Sequence, residues 1–257
     1  MIPRGASAGA RIPHAAAPPP SVPSVPSVPG LLMHFDGDFV DACRGRSFSL
    51  TGNSPATDAL TTDACAGSHA LRIGRGESGS PMPISTSQFP QDFNVGAGGA
   101  LTIEYFVSTN GWESAYGTFL TFADASAPSE LIWRVRHSSG EVSVFGYQDT
   151  SGNARNLYRA VSIPAGDGPT TPGPWTHVAF VITPTEVRMY VGGVLANHGA
   201  SPPPLAAPIK SAASGVLTVT DHYTVRVDDL RILPQEVYTG SSFTPPTAPL
   251  SRTHPPT

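Results

Sequence analysis

The densest group of oxygen donors in the sequence is Asp36, Asp38 and Asp41, and a second acidic pair, Asp228-Asp229, lies near the other end of the chain. Calcium takes several oxygen ligands from loops of this kind, so Asp36, Asp38, Asp228 and Asp229 are candidate metal ligands if the fold brings the two groups together. Asp36-Gly37 is also ordinary turn chemistry, in which the carboxylate caps its own loop. Glycoside hydrolysis needs two carboxylates flanking the scissile bond. Glu104 stands among apolar residues with no second acid beside it and reads as an isolated sheet-face glutamate. Trp112, Tyr116, Trp133 and Tyr147 are candidates for a stacking platform under a sugar ring, although rings in strands also fill cores. The eight histidines show no metal-ligand spacing.

Two strings imitate known sites. Gly5-Ala6-Ser7-Ala8-Gly9 has the G-x-S-x-G spacing, but that serine works only on a strained strand-to-helix turn, and here a proline-rich stretch follows. Gly74-Arg75-Gly76-Glu77-Ser78-Gly79 has the G-x-G-x-x-G spacing, which next requires a helix to receive a pyrophosphate. Pro81 and Pro83 forbid that helix. Cys43 and Cys65 belong to no CxxC motif; a bridge between them and two buried free thiols both fit. No catalytic residue is expected, and no cofactor except calcium.

These residues must be positioned by β-structure. The chain has 257 residues with 28 Pro and 26 Gly, a density of helix breakers that favours short strands and many turns. Charged residues are only 13%, about half the usual ~25%. This deficit fits either a protein in contact with neighbours or a Ser/Thr-rich β-surface. The net charge of -4 and the single lysine, Lys210, exclude the basic footprint of a nucleic-acid binder. No apolar run reaches the ~20 residues of a membrane span. Met1–Ala17 lacks the apolar core of a secretory signal, so assembly in the cytoplasm is expected.

Residues 1–30 read as an extended arm. Pro13, Pro18-Pro19-Pro20 and three Ser-Val-Pro repeats ending at Pro29 favour polyproline II, which at ~3.1 Å per residue spans roughly 53 Å from Pro13 to Pro29. From Leu31 the pattern turns to strands: Leu31–Phe35, Leu101–Val107 (half-buried by its alternation), Thr118–Phe122, Leu131–Arg136 and Val142–Tyr147. Trp175–Ile182 is apolar on both faces, and Val216–Thr220 and Tyr223–Leu233 close the set. Val187–Val191, Gly192-Gly193 and Val194-Leu195 form a hairpin whose turn needs positive φ at both glycines.

Six of these segments, in order, resemble laminin G-like, concanavalin A-like modules of bacteriophage tail and virion proteins. Leu31–Gly37 (LLMHFDG) resembles their opening strand, Leu101–Val107 (LTIEYFV) the F-T-I-E-F-W-V strand, and Trp175–Ala179 the W-x-H-V-A strand. Val187–Leu195 is similar to the L-Y-V-D-G-V-L hairpin, with Gly192 where Asp is common, and Val227–Ile232 to I-D-E-L-R-I. Phe243–Leu250 (FTPPTAPL) resembles the F-T-P-P-T-x-P-F ending of phage copies. The resemblance covers roughly 31–250. It implies an all-β, two-sheet antiparallel jelly-roll sandwich with the first and last strands adjacent, which would bring Asp228-Asp229 near Asp36 and Asp38.

The expected organisation is an arm at 1–30, a jelly roll at 31–235 and an extended tail at 236–257. The expected function is that of a non-enzymatic virion protein, an auxiliary decoration protein anchored through Pro13, Pro20, Val22, Val25 and Val28 with the jelly roll outward. The alternative is a tail-associated lectin-like module that reads host surface glycans through Trp112, Tyr116 and Trp133. The expected partners are major capsid or tail proteins, further copies of the chain and, on the alternative, a glycan; neither nucleic acid nor a membrane is expected.

Overall fold

A computed structural model describes residues 30–50, 60–73, 84–90, 93, 95, 98–109, 117–138, 141–167, 171–196, 205–212, 214–219 and 225–252. The arm with Pro13, Pro20, Val22, Val25 and Val28, and both glycine-spaced strings, lie outside these residues. Among the described residues every regular element is a strand. The strands are β1 (Leu31–Met33), β2 (Ser49–Leu50), β3 (Leu60–Thr61), β4 (Ala70–Ile73), β5 (Ile84–Pro90), β6 (Leu101–Thr109), β7 (Gly117–Asp124) and β8 (Ala127–Ser138). They continue with β9 (Glu141–Gln148), β10 (Ala154–Ser162), β11 (Thr176–Ile182), β12 (Val187–Val191), β13 (Val194–Leu195), β14 (Ser214–Val219) and β15 (Val225–Leu233).

They pair into two antiparallel sheets. One runs β13-β12-β11-β6-β15-β4-β3, with β1 also on β15; the other runs β10-β9-β8-β7-β14-β5-β2. The first strand lies beside the last, Leu31 opposite Ile232 and Met33 opposite Leu230. The inner faces alternate into one core: Leu101, Ile103, Tyr105 and Val107 of β6 meet Phe119, Leu120 and Phe122 of β7 and Trp133 and Val135 of β8. This is the two-layer solution for strands with one apolar face.

The expected hairpin is present. Gly192 and Gly193 have φ of 58° and 78°, and Val191 pairs with Val194. At Gly193 a Cβ would run into the backbone carbonyl of Phe243 and the ring of Pro245. Glycine here therefore serves both the turn and a close approach.

One expectation about burial changes. β6 is buried along its whole length rather than on one face. The reason is the segment after β15, which lies across the outer face of the first sheet. Thr102 Oγ1 donates to Gln235 O (2.8 Å), Arg188 Nη1 to Tyr238 O (2.8 Å) and Tyr190 Oη to Gly240 O (2.8 Å). The Phe243 amide donates to Gly193 O and the Leu250 amide to Asp229 Oδ2, both at 2.8 Å. Tyr238 and Phe243 stack 3.6 Å apart over Ala179, Val181 and Tyr190, and Leu250 packs with Leu32, Cys43 and Phe106. Residues 234–252 are a strap on the jelly roll, and without them a second apolar face would be open to water.

Candidate functional site

Glu104, the candidate isolated acid, lies beneath the strap with no exposed surface. In β6 it pairs with Ala179 of β11 and Arg231 of β15, so cross-strand register brings three side chains together. Arg231 Nε and Nη2 meet its Oε1 at 2.8 and 2.7 Å. The Oε2 accepts from His177 Nε2 (3.1 Å) and Tyr238 Oη (2.7 Å). Burial alone would raise its pKa, but the bond from His177, the Arg231 charge and the Tyr238 hydroxyl outweigh it and hold the carboxyl below its ordinary value. Tyr238, pushed well up by its own burial and by the Glu104 charge, remains a hydroxyl donor. The arrangement fastens the strap and leaves neither carboxylate oxygen facing a cleft.

The acidic residues near the termini do come together in part. The ladder of β15 shifts register between Asp228 and Arg231, and Asp229 has a positive φ of 50°. β4 pairs with 225–227 and β1 with 230–232 along the same flank of β15, so Asp228 and Asp229 face the gap between them. Asp228 Oδ2 accepts the amides of Cys65 and Ala66 (2.9 and 2.8 Å), and its Oδ1 accepts that of Asp229. Asp229 accepts His34 Nδ1 (2.5 Å) on one oxygen and the Leu250 amide on the other. Asp36 Oδ1 accepts the amides of Ser68 (2.5 Å) and His69 (3.2 Å), and Asp38 only that of its neighbour Val40 (3.1 Å).

The four candidate calcium ligands are thus occupied as caps on loop amides, and among the described residues no three His, Cys, Asp or Glu converge on a metal position. The donor set does not fit calcium. Burial, opposed by the Ala66 amide, pushes Asp228 up to about 6, and the bond to Asp229 raises His34 above its ordinary value. Cys43 and Cys65 are both free thiols, one buried and the other exposed, and burial together with the Asp41 charge pushes the Cys43 thiol up to about 11.

The aromatic platform is not assembled as expected. Trp133 is fully buried, stacked on Phe122 at 5.6 Å with its indole N–H donating to Phe93 O (3.3 Å), and Tyr147 is only 4% exposed. Both belong to the inward alternation of β8 and β9, where Trp133 pairs with Tyr147. Trp112 and Tyr116 lie outside the described residues.

The sequence reading missed a cleft of about 210 Å³ at the β8-β9-β10 edge of the second sheet, lined by Glu130, Arg134, Gly146, Gln148 and Arg155 among others. Arg134 is cross-strand from Gly146, and Gly146 from Asn156, with Arg134 Nη2 donating to Asn156 Oδ1 (3.3 Å). These residues alternate with the core-facing Trp133 and Tyr147, so the cleft lies on the outer face. A Cβ on Gly146 would lie 2.9 Å from both Arg134 Nε and Asn156 Oδ1. The only sequence signal was polar residues at alternate positions of β8; the strand order that gathers them comes from the fold.

Two packed antiparallel sheets with the terminal strands adjacent define a jelly-roll sandwich of the lectin type. Residues 85–238 match the model of the Concanavalin A-like lectin/glucanases superfamily, in its laminin G form, and the chain belongs to that superfamily. No curated protein sequence matches it. Similar solved structures include the receptor binding domain of botulinum neurotoxin type G (TM-score 0.55, 13% identity, 81% of this chain and 48% of that one). The binding domain of botulinum neurotoxin DC in complex with SialylT gives 0.57 and 12%, covering 82% and 49%. The binding domain of Paraclostridial Mosquitocidal Protein 1 gives 0.58 and 12%, with the same coverage. The chain spans about half the length of these solved chains, and at such identities the likeness is one of fold.

Proposed function

We propose that the chain is a non-enzymatic structural module of a bacteriophage virion, an auxiliary decoration protein anchored through its N-terminal arm with the jelly roll outward. The observation that carries the non-catalytic part is the closure of Glu104. The acid at the centre of the first sheet is consumed by Arg231, His177 and Tyr238 and roofed by the strap. In the cleft, Glu130 is ion-paired to Lys210, and among the described residues no second carboxylate lines it to complete the pair a glycosidase requires. The particle assignment is supported by the Phe243–Leu250 string, which resembles the ending of phage copies, and by the low charge of the chain.

The glycan-reading alternative has its own support in the outward-facing cleft flanked by Arg134 and Arg155. One structural neighbour is a binding domain in complex with SialylT, and the shared fold makes a similar use of this one reasonable to test. Antibody labelling of purified particles, paired with a reducing-end assay on a panel of polysaccharides, tests the first reading. The expected result is labelled particles and no released reducing ends. Unlabelled particles would remove the virion assignment, and turnover would remove the non-enzymatic one.

A further inference from the structure

We propose that the cleft at the β8-β9-β10 edge is a subsite for one carboxylate-bearing sugar residue, an inference that rests on the glycan-binding reading above. Its volume of about 210 Å³ is below the ~300–1,000 Å³ of pockets that take drug-sized ligands, which suits a single ring rather than an oligomer. No exposed ring among the described lining residues offers a stacking surface, since Tyr147 is 4% exposed. The recognition must therefore come from polar and charged groups.

Two guanidinium groups flank the opening, Arg134 from β8 and Arg155 from β10. Arg155 Nε donates to Asp149 Oδ2 (2.9 Å), and Asp149 is itself held by the amides of Ser151 and Asn153, both 2.9 Å from its Oδ1. The fork of Arg155 is thereby oriented before any ligand arrives, while its side chain keeps 43% of its surface exposed. A planar, oriented donor fork matches a carboxylate bidentately, and such charge-assisted bonds are about twice as strong as neutral ones. Gly146 contributes by having no Cβ, which leaves room for the Arg134 side chain across the strand. Gln148 and Glu130 supply a donor and an acceptor for ring hydroxyls. Counting the cleft with its ion partners, Arg134, Arg155 and Lys210 against Glu130 and Asp149 give a net charge of +1 on a chain whose total is -4. This places a local attraction for anions on an otherwise acidic molecule.

The test uses the full chain with three probes: sialyllactose, a glucuronate-terminated disaccharide and lactose, titrated by calorimetry at low and high salt. The expected result is that one or both acidic sugars bind more tightly than lactose, that the preference shrinks with salt, and that Arg155→Gln and Arg134→Gln each weaken acidic-sugar binding by about tenfold or more. Arg155→Gln should lower the melting temperature only modestly, because the amides of Ser151 and Asn153 still hold the Asp149 carboxylate. Gly146→Ser, which narrows the cleft without removing charge, should weaken binding as well. Lactose binding as tightly as the acidic sugars, or variants that bind like wild type, would overturn this subsite and leave the glycan reading standing. Failure of all three probes on an extended glycan array as well would remove both.

Discussion

Glu104 brings a full negative charge to a place without water, and the effective penalty for such a transfer is several kcal/mol per ion. Arg231, His177 and Tyr238 offset it, and each comes from a different element, so the charge ties β6, β11, β15 and the strap together. Glu104→Gln keeps the shape but leaves the Arg231 guanidinium buried without its counter-charge. The expected cost is about 3–5 kcal/mol of unfolding free energy, read from a denaturant titration. Because the folded pKa of Glu104 lies below its unfolded value near 4.5, its contribution is present above that pH and is lost as pH falls through the folded value. Asp228, raised from 3.8 to about 6, and His34, raised above 6.5, have the opposite sign. Their contributions are complete at low pH and are lost as pH rises through the folded values. Burial holds the His137 imidazole down to about 3, which adds a loss of stability as pH falls below 6.5. The melting temperature measured from pH 3 to 9 should therefore fall on the acid side with that slope reduced in Glu104→Gln, while Asp228→Asn should remove an opposing loss between about pH 3.8 and 6. A flat profile in the wild type would contradict the assigned contributions.

At the scale of elements, the Gly192-Gly193 turn joins local chemistry to the strap. Gly193→Val forces a β-branched residue to a φ of 78° and drives its Cβ into Phe243 and Pro245. A loss of more than about 1 kcal/mol is expected, with faster hydrogen exchange at the Phe243 amide as its signature. An unchanged melting temperature would remove the strap contact from the account. The same elements show what the sequence could reveal. The hairpin and β11 were legible because positive-φ glycines and a continuous apolar run each have a single local meaning. β10 was missed because Ala154–Ser162 is a polar edge strand paired only to β9, and β5 because Ile84–Pro90 is rich in hydroxyls and ends in proline. Glu104 was read as a sheet-face acid without the cover it has. Period-two alternation separates the faces of a strand but does not say which face a later segment will cover. The cleft was illegible because Arg134, Gly146 and Arg155 come from three strands and meet only through register.

Gly30, the residue before β1, is closely held. Gly30 has a φ of 113°, its carbonyl accepts from Arg46 Nη2, and a Cβ on it would strike the carbonyl of Ile232. Arg46 is in turn held by the buried Asp41 (2.7 Å), which also accepts the amides of Leu32 and Cys43. Among the described residues, the contacts that close this end of the sandwich join residues 30–46 to one another and to Ile232. A segment of Ser-Val-Pro repeats has few ways to stabilise itself, since polyproline II makes no internal hydrogen bonds. Its proposed value is as an anchor: prolines lower the entropy lost on docking because the free chain is already extended. Deleting residues 1–29 while retaining Gly30 should leave a folded domain whose melting temperature is nearly that of the full chain. The same deletion should abolish incorporation into particles when the truncated gene replaces the intact one. A truncated protein that fails to fold would make the stretch part of the domain, and one that still decorates particles at full occupancy would reduce it to a spacer.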